Sequence, residues 1–261
     1  MTAHSLEIVP LTGIPIIEPG DDLASVIMKA FRRPRIRPRP GDVLVVTHSI
    51  VSMAEGRVFY NAEIEPSAKA TQIAATTGRS AQKVEVALRE AVEVIREEPV
   101  LITKTKQGIV TDFSGVDQKN APLGSYIALP ADPDESARRL HYRLSKELGV
   151  HMPVIITDTH GRPWRLGAVN AAIGVAGMSP FFRNAGKEDL YGRHLTSSLV
   201  CLADELAEAA ELVMGQADEG IPVALIRGVK YESEPGAARD IVRAVSEDLF
   251  RGDPRFTTTG R

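Results

Sequence analysis

Apolar positions along this chain fall into short unbroken runs and into stripes with helical spacing, a pattern that predicts strands and amphipathic helices in mixed order. Leu6 to Leu11 alternates loosely and predicts a strand, ending in the turn-like Thr12-Gly13-Ile14-Pro15. Asp21 and Asp22 can cap a helix whose apolar face is Leu23, Val26, Ile27 and Ala30. After Asp42, V-L-V-V-T-H-S-I-V-S predicts a strand with its polar residues Thr47, His48, Ser49 and Ser52 gathered at the end. The Ala- and Thr-rich segment from Ser67 to Thr77 predicts a helix. Ser80 to Arg96 predicts another, on the stripe Val84, Leu88, Ala91, Val92 and Ile95. Val100 to Thr105 and Ile109 to Thr111 flank Gln107-Gly108 as a hairpin. Asp132-Pro133-Asp134-Glu135 starts a helix that runs through Leu140, Leu144 and Leu148 to Gly149, with Arg138, Arg139 and Arg143 on its solvent face. A further helical stripe holds Cys201 among Leu199, Leu202, Leu206 and Ala210, which favours a packing thiol over a nucleophile. A strand follows Pro222, a last helix spans Pro235 to Arg251, and the tail from Gly252 is expected to be loose.

The stretch from Pro153 to Gly177 concentrates the candidate chemistry. Val154 to Thr157 predicts a buried strand, with Asp158, Thr159 and His160 at its end. Gly161 and Pro163 mark a turn, and the loop carries Arg162, Arg165 and the only tryptophan, Trp164. The Gly- and Ala-rich run from Ala168 to Gly177 is too weakly periodic to assign by pattern. An oxygen ligand beside two guanidinium groups suits a metal-bound anion such as a phosphate. A structural turn in which Asp158 pairs with Arg162 or Arg165 fits the same residues. Asp117 and Asn120 lie in S-G-V-D-Q-K-N-A-P, a turn bounded by Gly115 and Pro122, where such residues often bond their own backbone. Asp117 and Asp158 each sit near the end of an apolar stretch, so a fold can also bring them together around a divalent cation. M-G-Q-A-D-E-G-I-P, from Met214 to Pro222, joins a helix end to a strand, a common place for a ligand and also an ordinary connection with Gly215 as a cap.

At 261 residues, with 43% hydrophobic and 25% charged residues, the chain can bury a full core. A net charge of −3 does not suggest bulk nucleic-acid binding. No segment approaches a membrane span, no signal-peptide layout is present, and a lone cysteine excludes an internal disulfide, so a soluble cytoplasmic protein is expected. The arginine–proline run from Arg32 to Gly41 is incompatible with helix or sheet, and reads as a solvated connector or as an electrostatic lip for an anionic substrate. No Walker motif occurs.

Taken together, P-L-T-G-I-P with E-P-G-D-D, S-I-V-S-M-A-E-G-R, S-G-V-D-Q-K-N-A-P, T-D-T-H-G-R-P-W-R with A-I-G-V-A-G, and G-Q-A-D-E-G-I-P resemble the coenzyme F420-0:γ-glutamyl ligase family, in the family's order and over nearly the whole length. The resemblance implies an α+β fold of mixed sheets and flanking helices in two lobes, a single module over residues 1–251, and an intertwined homodimer. It implies GTP-dependent addition of L-glutamate to F420-0 through an acyl phosphate, with two Mg²⁺ or Mn²⁺ ions and potassium assisting. Asp117 and Asp158 would bind one divalent ion, and Thr159 and Gln216 a second. Asn120, Thr12, Gly13, Ile14, Pro15, His48 and Ser49 would contact the nucleotide. The loop of Met214, Gly215, Gln216, Ala217, Asp218, Glu219, Gly220 and Ile221 would wrap its guanine and ribose side. Met53 departs from the family's usual lysine, which should weaken phosphate binding by roughly 1–3 kcal/mol unless Lys104, Lys106 or an arginine of the Pro-rich loop substitutes. From the residues themselves, Arg162 and Arg165 are assigned to the transferring phosphoryl group or the coenzyme's phosphate, and His160 to a base for the amine or a supporting hydrogen bond. A non-catalytic deazaflavin or nucleotide carrier and a metal-dependent phosphohydrolase are the alternatives.

Overall fold

The computed structural model describes residues 5–32 and 36–250. The loosely alternating run near the start forms β1 (Glu7–Pro10), and the stripe after Asp22 forms α1 (Leu23–Arg32), whose first turn donates the Ser25 N–H to Asp22 Oδ1 at 3.3 Å. In β2 (Val43–Thr47), Leu44 and Val46 face one apolar core while Val43 and Val45 face another. Burial on both sides is why this strand reads as an unbroken apolar run. The strand ends at Thr47, earlier than its sequence suggests, and α2 (His48–Ala54) begins. His48, Val51 and Ser52, buried at helical spacing, hold it in that form.

A second layer comprises β3 (Val58–Tyr60), α3 (Ala68–Thr77), α4 (Ala81–Glu90), β4 (Ala91–Arg96), β5 (Ile102–Thr105), β6 (Val110–Asp112) and β7 (Ser125–Ile127). It encloses its own core, centred on Ile73, Val84, Leu101, Phe113 and Tyr126. The helix expected to continue to Arg96 stops at Glu90, and Ala91, Glu93, Val94 and Arg96 pair as a strand with β5, with irregularities at Val92 and Ile95. Buried Glu90 pins the junction through Arg57 and, at 3.4 Å, Lys106. The hairpin around Gln107-Gly108 forms as expected, with β4 added to its side.

The remaining elements complete a five-stranded sheet. α5 (Pro133–Leu148) starts where Asp132 Oδ1 accepts the Glu135 N–H at 2.9 Å. β8 (Val154–Arg162) lies parallel to β2, and β9 (Arg165–Ala176) returns antiparallel to β8. The run from Asp158 to Arg162 is therefore strand and not loop, and the Gly- and Ala-rich run is its partner. Small residues are needed there: a Cβ on Gly174 would meet the Pro133 carbonyl oxygen at 2.4 Å, so α5 packs directly on the strand. β10 (Phe181–Arg183) pairs with β11 (Leu199–Cys201), and α6 (Leu202–Met214) follows at once, so Cys201 precedes the helix it was expected to lie in. β12 (Val223–Arg227) slots between β1 and β2, giving the order β1-β12-β2-β8-β9 with only β2 and β8 parallel. α1 and α5 cover one face and α6 the other, and the fold is α+β. No helix among the described residues is long and apolar enough to cross a membrane.

β9 is an edge strand, and two carboxylates occupy its outward N–H groups. Ala172 donates to Asp204 Oδ1 at 2.8 Å and Val175 to Asp134 Oδ1 at 2.9 Å. Asp134 Oδ1 also accepts the Ala238 N–H at 2.7 Å, and its Oδ2 accepts Arg239 Nε at 3.0 Å. Over residues 235–250 the chain makes 3₁₀ turns at Ala238–Asp240 and Val245–Glu247 in place of the expected helix, and the Asp134 clamp anchors the first of them through the Ala238 and Arg239 N–H groups. Arg251 and the tail from Gly252, like Arg33, Pro34 and Arg35 of the arginine–proline run, lie outside the described residues.

Asp134→Ala strands two buried backbone donors and should lower unfolding stability by about 2–4 kcal/mol, read from urea titration. An unchanged midpoint would rule out the clamp. Burial pushes the Cys201 thiol up to about 12 from 9.0. Near pH 8 it should therefore alkylate about a thousandfold more slowly in the folded protein than in urea, as followed by mass spectrometry. Equal rates would contradict this burial.

Candidate active site

The parallel pairing of β2 with β8 sets Thr47 opposite Thr157, so the next residue on each, His48 and Asp158, meet at the carboxyl ends of the two strands. His48 Nε2 lies 3.2 Å from Asp158 Oδ1, and His160 Nε2 lies 3.1 Å from Oδ2. The Thr159 N–H donates to Oδ1 at 2.8 Å. Burial alone would raise the carboxyl pKa, but the charge on His48 and the bonds from both imidazoles override it and hold Asp158 far below the usual carboxylate range. His160 is shifted in the opposite sense: burial lowers its pKa, and the bond to Asp158 and that residue's charge raise it further. Asp158 is thus paired, but with these histidines and not with Arg162 or Arg165.

One rung along the ladder, Thr159 faces Asn170. Thr159 Oγ1 donates to Asn170 Oδ1 at 2.8 Å, and buried Asn170 donates Nδ2 to Glu211 Oε2 of α6 at 2.7 Å. Gln216 Nε2 donates to Thr159 Oγ1 at 2.7 Å and also reaches Glu211. Gly215 allows this approach: a Cβ there would meet the Glu219 carboxylate carbon at 2.2 Å, where the loop folds back on itself. Glu219 Oε2 in turn accepts the Ala217 N–H at 2.8 Å.

Asp117 arrives from the second layer, held by a bridge to Ile127. Its Oδ1 accepts the N–H groups of Gln118 at 2.7 Å and Lys119 at 3.0 Å, and Asn120 turns the chain with φ of 56°. Asp117 and Asp158 both line one polar cavity of about 70 Å³, with His48, Lys119, Thr159, Asn170, Glu211 and Gln216 around it. Thr47, Ser49, Asn120 and Gly215 are shared with a larger cavity of about 620 Å³, so the two are contiguous. That larger cavity is lined by Ile14, Pro15, Met53, Met214 and the loop from Ala217 to Ile221. Thr12 and Gly13 precede its lining without belonging to it. Lys106 borders a different cavity, and Lys104 lies on β5. Arg162 and Arg165 stand at the tip of the β8–β9 hairpin, where Arg162 donates to the carbonyls of Leu166 at 2.9 Å and Gly167 at 3.1 Å; neither borders the two cavities.

Sequence inspection missed Asn170, Glu211 and Lys119. Asn170 carried a signal, as the one amide inside an otherwise apolar Gly/Ala run; Glu211 looks like any acid on the exposed side of a helix. The donor set fits a hard divalent cation: carboxylates from Asp117, Asp158 and Glu211, a hydroxyl from Thr159 and an amide oxygen from Gln216. Among the described residues no group of three or more His, Cys, Asp or Glu is spaced to hold an ion unaided. The donors match a cation that takes one or two carboxylates and completes its shell with water and substrate phosphate.

A family model for F420-0:Gamma-glutamyl ligase matches residues 13–228. The chain is 48% identical over 240 residues to the coenzyme F420:L-glutamate ligase of Methanopyrus kandleri, covering 90% of this chain and 93% of that one. It is 41% identical over 250 residues to the protein of the same name from Methanothermobacter thermautotrophicus, covering 95% and 99%. The Archaeoglobus fulgidus protein of that name is 41% identical over 246 residues, covering 94% and 96%. Matched along most of its length by the family model and by these relatives, the chain belongs to the F420-0:gamma-glutamyl ligase family.

Proposed function

We propose that the protein joins L-glutamate to the terminal carboxylate of coenzyme F420-0, using GTP and two divalent ions. The relatives' shared name supports the ligation. The observation that carries the chemistry is the continuity between the 620 Å³ cavity and the small oxygen-lined one holding Asp117 and Asp158. In this reading the larger space takes the nucleoside, and Asp218, which has no side-chain partner among the described residues, accepts from the guanine N–H groups. The triphosphate then extends past Ser49 and Asn120 toward the paired aspartates.

Asp117 and Asp158, with Thr159 and Gln216, would hold Mg²⁺ or Mn²⁺, which when bound neutralises phosphate charge and aligns the phosphoryl group. His48 and His160 keep Asp158 ionised and aimed. The coenzyme's carboxylate oxygen attacks the γ-phosphorus, the bond to the β-phosphate oxygen breaks, and GDP departs with that electron pair. The glutamate nitrogen next attacks the acyl carbon, phosphate leaves, and the amine gives up a proton. Lys119 is the one lysine or arginine among the described residues lining either cavity, so it meets the phosphates in place of the ammonium absent at Met53. Met53 itself is only 8% exposed and packs into the main core. Arg162 and Arg165 do not border this lining, and this reading gives the phosphate contact to Lys119.

Incubation with GTP, Mn²⁺, glutamate and F420-0 should add glutamyl mass to the coenzyme, with phosphate release that depends on glutamate. Phosphate release without glutamate would identify a phosphohydrolase, and no turnover at all a carrier. Asp117→Ala and Asp158→Ala should each lower turnover by about a hundredfold or more, and wild-type rates in either would sink the two-aspartate site. Lys119→Met should weaken GTP binding by about tenfold to a hundredfold in calorimetry, and adding Met53→Lys should restore part of it. Unaltered affinity in the single variant would remove Lys119 from the phosphate site.

A further inference from the structure

A third cavity, of about 730 Å³, lies along the outer edge of β9. Its apolar lining comes from three places: Ile109 and Val110 of the β5–β6 hairpin, Ile173 of β9, and Val242, Leu249 and Phe250 of the C-terminal segment. Phe250 also packs against Trp164 at the β8–β9 tip, with ring centroids 5.7 Å apart, so hairpin and C-terminal segment close on each other. That segment lies beyond the span matched by the family model, 13–228.

The charges in this cavity are unequal in availability. Its acids are engaged: Asp132 and Asp134 hold Arg239 at 3.3 and 3.0 Å, Asp204 holds the β9 edge, and Asp248 accepts the Phe250 N–H at 2.9 Å. Among the cations, Lys106 shares Glu90 with Arg57, and Arg243 has no ion pair or hydrogen bond among the described residues. Arg243 is therefore the charge in this lining left to meet an anionic group on a largely apolar body. The cavity's size fits a ligand on the order of several hundred daltons, far larger than a free amino acid.

One side chain connects this cavity to the metal-lined one. His160 borders it and also bonds Asp158 at 3.1 Å, while the adjacent Thr159 and Asn170 line the small polar cavity. Neighbouring residues of one ladder thus open onto both spaces, about 3.3 Å apart along the strand. We infer that the 730 Å³ cavity binds the larger carboxylate co-substrate, its flat ring system between the apolar walls, its anionic groups toward Arg243 and Lys106, and its reacting carboxylate at the His160 end. This inference rests on the ligase reading above and adds the site of the second substrate.

The test titrates the full chain with coenzyme F420-0 by deazaflavin fluorescence anisotropy, and separately with GTP and Mn²⁺. Val242→Trp fills the wall and Arg243→Glu reverses the free charge. Both should raise the coenzyme Kd by about tenfold or more while leaving the GTP Kd within about twofold. Arg243→Glu, an exposed charge reversal, keeps the test open should Val242→Trp fail to fold. A coenzyme Kd within about twofold of the parent in Arg243→Glu, with GTP binding intact, overturns this site and leaves the ligase reading standing. A selective rise in the glutamate KM would likewise overturn it, assigning the cavity to the amino acid. A parent protein that binds neither GTP nor the coenzyme defeats both.

Discussion

A buried carboxylate stays ionised only where fixed donors replace the water it has lost, and the site depends on Asp158 meeting that condition. Two imidazoles and a backbone N–H surround it, leaving little freedom in where its oxygens point. The arrangement follows from sheet topology. Because β2 and β8 run parallel and in register at Thr47 and Thr157, the residue after each falls at the same height, and His48 meets Asp158 without further adjustment. A slip of β8 by one residue would turn Asp158 to the face away from His48. The five-stranded sheet thus aligns the side chains of the candidate site as well as supplying the core.

The same economy recurs at the end of α6. Ala203, Leu206, Ala207 and Ala210 pack on the second face of the sheet, and the helix then delivers Glu211 and, after Gly215, Gln216 to the cavity. Core packing and ligand geometry are consecutive parts of one helix. Asp117 comes from the other layer, so the small cavity spans a seam between two separately packed cores.

Much of the architecture was legible because it rests on local chemistry. The Asp132 cap, the Ser67 and Ser80 caps and the two-sided burial of β2 are written in residue type and spacing. The convergence of Asp117 with Asp158 came from motif resemblance, since nothing in their spacing fixes a contact between residues so far apart in the chain. Failures occurred where tertiary partners decided the outcome. Ala91 to Arg96 continues a plausible helical stripe, yet β5 offers a pairing edge and the segment takes it as an irregular strand. The segment after Pro235 has helical composition, yet it is laid out as 3₁₀ turns docked on Asp134 of α5. Asn170 and Glu211 were hidden for a related reason: each serves the other across 41 residues of sequence.

Asp134 joins the sheet border to the C-terminal segment through one pair of oxygens. Detaching that segment would take the Ala238 and Arg239 donors from Asp134 and leave the Val175 N–H as the donor this buried carboxylate keeps. Sheet border and cavity wall thus lean on one carboxylate, and losing the segment would leave that charge short of partners beside β9.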